Sequence, residues 1–131
     1  MERVLQFFKE NPVFYLATMD GDQPRVRPFG AIGLFEGKLY FTTGNQKNVY
    51  RQMRKNPKIE ICGTGKNGDW LRVSATVEFD ERREVKQFML DECPGLKNIY
   101  HIDDGIFTVF YLKDATAVFS SFTSEPDTIT F

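Results

Sequence analysis

The segment TTGNQKNVYRQMRKN, residues 42–56, gathers two threonine hydroxyls, an asparagine and a lysine at the start of a predicted helix. With Asn45 as the N-cap, Lys47 falls in the first helical turn, at the positive end of the helix dipole. An acidic side chain is stabilising there and a lysine is mildly repelled. An anion reverses that preference. The unpaired N–H groups of the first turn point outward, and with Thr42, Thr43 and the Lys47 ammonium they form a phosphate cradle. Lys47, Arg51, Arg54 and Lys55 recur at i, i+4, i+7 and i+8, so they share one face. Like charges at that spacing cost a few tenths of a kcal/mol per pair. The C-terminal dipole explains Arg54 and Lys55 but not Lys47. A solvated basic face is the competing account of the same stretch.

A second constellation is RVRPFG, residues 25–30. On a strand, Arg25, Arg27 and Phe29 face one way and Val26 and Pro28 the other. Pro28 cannot donate to a ladder, which places the stretch at a sheet edge or a bulge. Two arginines on one face beside a sheet gap suit a planar anionic ligand. Charge that guards an exposed edge against aggregation gives the same pattern.

These groups need elements to hold them. Residues 2–11 are predicted as a helix with Val4, Leu5 and Phe8 on one face. Strands are expected at 13–19, 25–35, 38–43, 58–64, 70–79, 105–112 and 115–122. The Glu36–Gly37 pair makes a tight hairpin, and Asp80 caps a charged helix, ERREVKQFMLDE. PGLKNIYHIDDG reads as irregular, and the tail SEPDTITF as polar until Phe131. Six or seven strands with short connections favour antiparallel neighbours and a closed or nearly closed barrel. The expected fold class is mainly β (α+β), with helices at the periphery.

At 131 residues the chain makes one domain, residues 1–131, with enough length to bury a core. A formal net charge of −1 gives no indication of nucleic acid or an anionic membrane as partner. An oligonucleotide-binding barrel, with bases stacked on aromatics between basic strands, is disfavoured by that balance. Thirteen phenylalanines and five tyrosines exceed what a small core requires, leaving some for a flat ligand or a subunit interface. Cys62 and Cys93 form no metal or redox motif, and His101 is the only histidine, without a catalytic partner motif. The N-terminus carries no signal-peptide pattern and no stretch approaches ~20 apolar residues, so a cytoplasmic location without membrane insertion is expected.

The order of motifs is A-T-M-D-G-D-Q-P, R-V-R-P, G-K-L-Y-F-T-T-G-N-Q-K-N-V, N-P and G-D-W-L-R-V-S-A. It resembles the pyridoxamine 5′-phosphate oxidase-like family of FMN-binding split barrels, over roughly residues 5–120. The resemblance implies a six-stranded antiparallel split β-barrel that forms a homodimer with FMN between subunits. It implies that Arg25, Arg27, Pro28 and Phe29 line the flavin and ribityl phosphate, with Thr42 and Thr43 beneath. Lys47 and Asn48 would bind the phosphate, and Trp70 and Arg72 would reach in from the partner subunit. The family's named oxidases are longer and carry an Arg-x-His motif near the C-terminus. Here Ile99 stands two positions before His101, and the chain ends SSFTSEPDTITF. The resemblance therefore runs to short flavin reductase and nitroimidazole-resistance-like members. It implies an FMN-dependent oxidoreductase acting on a small molecule, with hydride transfer through flavin N5 and a nicotinamide as a candidate donor. A non-catalytic flavin- or haem-binding module on the same barrel is the alternative.

Overall fold

The computed structural model describes residues 1–131. Its elements are α1 (Glu2–Glu10), β1 (Phe14–Asp20), β2 (Gln23–Phe29), β3 (Ile32–Phe35), β4 (Lys38–Gly44), α2 (Asn48–Lys55), β5 (Lys58–Thr64), β6 (Trp70–Asp80), α3 (Arg83–Glu92), β7 (Phe107–Ser120) and β8 (Asp127–Thr130). A short 3₁₀ helix spans Pro94–Asn98. All strand pairings are antiparallel, in the order β2-β1-β5-β6-β7-β4-β3, with β8 added to β7. The terminal strands of that order, β2 and β3, are joined in sequence by only Gly30 and Ala31. The sheet must therefore curl until its two ends meet, which leaves a barrel split along one seam.

Eight strands form where six or seven are expected, and three local events account for the difference. The predicted strand 25–35 breaks at Gly30, giving β2 and β3. The two predicted final strands fuse into β7, whose 14 residues pass through Asp114 at φ 51° opposite a register shift between Ser74 and Thr76. The polar tail, not among the expected strands, pairs with Thr116–Phe119 as β8, and Phe131 exchanges backbone bonds with Ala115. Because β7 pairs with β4 along its first half and β8 along its second, one strand serves both parts of the split sheet. The Glu36–Gly37 hairpin is as expected: both residues have positive φ, 51° and 74°, the geometry of a type I′ turn.

The barrel interior takes alternate residues of each strand. Phe14, Leu16, Phe41, Ile61, Leu71, Val73 and Phe110 are buried there, and Val4 and Phe8 of α1 close one end. A smaller core, with Tyr40, Val85, Met89 and Val109, lies beneath α3 on the outer side of β4 and β7. No helix is long and apolar enough to cross a membrane.

Candidate functional site

Helix α2 lies over the end of the barrel because its sequence is two-faced. Val49 and Met53 are buried in the main core, whereas Lys47, Asn48, Arg51, Gln52 and Lys55 turn to an open cleft of about 970 Å³ between the helix and β1–β2. The helix begins later than expected. Asn45 is not its cap: it is held by the 105–106 loop, its Nδ2 donating to Gly105 O at 2.9 Å and its N–H to Ile106 O at 3.0 Å. Lys47 itself occupies the N-cap, with no side-chain cap bond. The N–H groups of Asn48, Val49 and Tyr50 consequently have no acceptor in the chain. The Lys47 ammonium takes part in none of the ion pairs. A free cation and three free donors converge on one helix end, the arrangement that holds a phosphate or carboxylate.

The opposite wall is β2. Arg27 is half-buried, and its guanidinium spans three elements. Nη1 donates to Leu16 O at 3.1 Å and Thr18 Oγ1 at 2.8 Å, and Nη2 donates to Gln52 Oε1 at 2.7 Å. Burial lowers its pKa from the usual arginine value, but the group stays cationic. Arg25 is exposed at the rim, with Nε 3.3 Å from Asp20 Oδ2. The cleft lining thus holds five cationic side chains, Arg25, Arg27, Lys47, Arg51 and Lys55, against one carboxylate, Asp20. In a chain of net charge −1, that local excess gives the cleft a positive potential.

Of the ten residues singled out by sequence, Arg25, Arg27, Lys47 and Asn48 line this cleft together. The others lie elsewhere on the chain. Phe29 turns its ring to the core, 6.3 Å from Phe110, and Pro28 is exposed on the outer face of β2, an edge strand as expected. Thr42 and Thr43 are buried near the end of β4, and the Thr43 hydroxyl, on a residue only 3% exposed, has no hydrogen-bond partner. Trp70 and Arg72 sit at the start of β6. The cleft end of β6 is near Thr76, which pairs with Lys58, so Trp70 is roughly 20 Å away at ~3.3 Å per residue. Within one chain they are no part of the cleft. Trp70 packs 5.0 Å from the exposed Phe122 ring, and Arg72 shares the outer sheet face with Cys62 and Tyr15.

Sequence reasoning missed three participants. Thr18 and Gln52 complete the Arg27 network, and Thr18 Oγ1 donates to Gln52 Oε1 at 2.6 Å. Gln52 was legible in principle, one turn after Asn48 on the same helix face. Thr18 was masked by the apolar run FYLATM around it. In sequence Arg51 is one more charge on the face, but in the structure it fastens the cradle: Nη1 donates to Gln46 O at 3.0 Å and Nη2 to Asn48 Oδ1. The cysteines stay outside the site, and burial pushes both thiols up, which keeps them protonated and poorly nucleophilic. His101 is exposed and does not line the cleft.

The geometry is that of a small, split, antiparallel barrel with a cationic cleft beside a helix start. The family profile described as pyridoxamine 5′-phosphate oxidase matches residues 1–99. A crystal structure of a NimC/NimA family protein from Clostridium acetobutylicum is 50% identical, with TM-score 0.98, over 100% of this chain and 92% of that one. The chain belongs to the pyridoxamine 5′-phosphate oxidase family. More distant structures share the fold. General stress protein 26 from Bacillus anthracis is 16% identical, with TM-score 0.79, over 99% of this chain and 97% of that one. A haem-binding protein from Mycobacterium smegmatis is 18% identical, with TM-score 0.74, over 95% of this chain and 55% of that one. No curated protein matches the sequence.

Proposed function

We propose that the cleft binds FMN, with its phosphate on the start of α2, and that the chain is an FMN-dependent oxidoreductase acting on a small molecule. The observation that carries this reading is the N-cap lysine. Lys47 has no acidic partner and stands beside the unsatisfied N–H groups of Asn48, Val49 and Tyr50. An unpaired cation at the positive end of a helix is unfavourable by itself and favourable once a dianion sits there. The lining residues fit a phosphate-bearing group in charge and donor type. Arg25 and Arg27 add positive charge along the cleft wall, and Arg27 is locked in place before any ligand arrives.

Bound FMN would supply hydride transfer at N5, accepting from a donor such as a nicotinamide and passing on to an acceptor. The chain's own part is binding and electrostatics. The only carboxylate in the cleft, Asp20, is committed to Arg25, and no cysteine or histidine lines it. That leaves no free protein acid or base, and direct hydride transfer needs none. The same scarcity favours a second reading, a flavin- or haem-binding module without turnover.

A homodimer belongs to the proposal. Tyr15, Val26 and Pro28 share the outer face of β1–β2, and Val26 is 67% exposed, with Val13 beside them at 59%. This apolar face continues to Cys62 and Arg72, on the side where Trp70 begins β6. A second copy covering it would bring Trp70 and Arg72 to a neighbouring chain's ligand. The test is the absorption spectrum of the purified protein before and after addition of NADH or NADPH under exclusion of oxygen. Flavin bands that bleach support the oxidoreductase. Flavin bands that persist, or a Soret band in their place, favour the binding module.

A further inference from the structure

Gln52 has an amide whose orientation is fixed by chemistry. Its Oε1 accepts from Arg27 Nη2 at 2.7 Å and from Thr18 Oγ1 at 2.6 Å. An arginine guanidinium only donates, so the oxygen must face Arg27 and the amide cannot flip. Thr18 Oγ1 in turn accepts from Arg27 Nη1 at 2.8 Å, which closes a three-membered network across β1, β2 and α2. The other end of the amide, Nε2, has no partner in the chain. It is not among the buried unsatisfied atoms, and Gln52 lines the cleft. The network uses only the oxygen and leaves two neutral N–H donors free on a residue that lines the cleft.

We infer that Gln52 is a ligand-binding residue, its Nε2 donating to an oxygen on the hydroxylated chain of the molecule in the cleft. The inference rests on the FMN reading of that cleft. Gln52 follows Asn48 by four residues on the same helix face, about 6 Å along the axis from the phosphate position at the helix start. At that distance from its phosphate a flavin mononucleotide presents ribityl hydroxyls, which accept a hydrogen bond from an amide while donating their own proton elsewhere, and carry no charge. Lys47 and Gln52 therefore read different parts of one ligand. Lys47 reads the phosphate, and Gln52 reads a part that riboflavin also has.

The test is a fluorescence titration of FMN and of riboflavin against the wild-type protein, Lys47→Ala and Gln52→Glu, with thermal melts of each apo form. In Gln52→Glu one carboxylate oxygen still accepts from Arg27 and Thr18, so the apo protein melts at or above the wild-type temperature. Its other oxygen has no N–H to donate, and a ribityl hydroxyl answers it only by turning its own proton inward and giving up the partner that proton had, so affinity for both flavins falls roughly tenfold. Lys47→Ala loses affinity for FMN alone. Through-space repulsion from the new charge would weaken FMN and spare neutral riboflavin, and that pattern overturns the assignment. So does Gln52→Glu binding both flavins as the wild type does. If the wild type binds neither flavin, the cleft reading falls and this assignment with it; if it binds them and Gln52→Glu is silent, only Gln52 is misassigned.

Discussion

Lys47 shows how far a single residue can be read. Its type and place, a lysine where a helix start prefers an acid, were visible in the sequence and remain the clearest mark of the cleft. Its position was misjudged by part of a turn, because nothing local reveals that Asn45 is held by Gly105 and Ile106, sixty residues away. Lys47→Ala should weaken FMN binding by about ten- to a hundredfold, the worth of a charge-assisted bond of roughly 1.5–3 kcal/mol. The apo variant should melt at the same temperature or slightly higher, since a cation leaves the positive helix end. A control for lost charge on this face cannot be Arg51, which holds Gln46 and Asn48 in the cradle. Lys55, at the other end of the same face, is the better control, and Lys55→Ala should change FMN affinity less than threefold in the same fluorescence titration.

At the scale of elements, the sequence shows which segments are strands and helices but not where strands break or fuse. RVRPFGAIGLF is continuous in pattern; it breaks because the barrel must turn its seam at Gly30. GIFTVFYL and ATAVFSSF look separate because Lys113 and Asp114 interrupt the apolar alternation, yet a bulge absorbs both. Asp80 illustrates a role that pattern alone misassigns. It accepts from the Arg82 N–H at 3.1 Å, but Arg82 is the N-cap of α3. The larger duty of Asp80 is to accept from the buried Tyr40 hydroxyl at 2.7 Å and from the Arg82 guanidinium, which also reaches Glu36 in the β3–β4 hairpin. Arg82 first, then Tyr40, hold the Asp80 carboxyl down at about 2, against a burial effect that would raise it. A folded-state pKa below the unfolded value means stability that is fully present above pH ~4 and is lost as pH falls through about 2. With solvent screening at the Arg82 side, that linkage is worth about 1 kcal/mol. Asp80→Asn should lower stability at pH 7 by about that amount and flatten the change between pH 4 and 2, as read by urea unfolding at each pH.

For the whole molecule, the mainly β class and the helices at the periphery follow from strand patterning and short connections. The curling of the sheet follows from a pairing order that no local signal contains. The candidate site was legible only in part. Arg25, Arg27, Lys47 and Asn48 meet in one cleft, whereas Trp70 and Arg72 stand on another part of the surface and need a second chain to approach a ligand. The dimer account therefore makes a linked prediction. Tyr15→Lys, which puts a charge on the exposed apolar face at a residue that does not line the cleft, should convert a dimer to the 15.2 kDa monomer in sedimentation velocity and weaken FMN binding with it. A monomer that binds FMN as tightly as the wild type would separate the cleft from the dimer. The central claim is that the start of α2 holds a phosphate. It is tested most directly by titrating the apo protein with FMN and with riboflavin, which differ only in that group. The account predicts FMN affinity at least tenfold above that for riboflavin, with most of the difference lost in Lys47→Ala. Equal affinity of the wild-type protein for the two would contradict it.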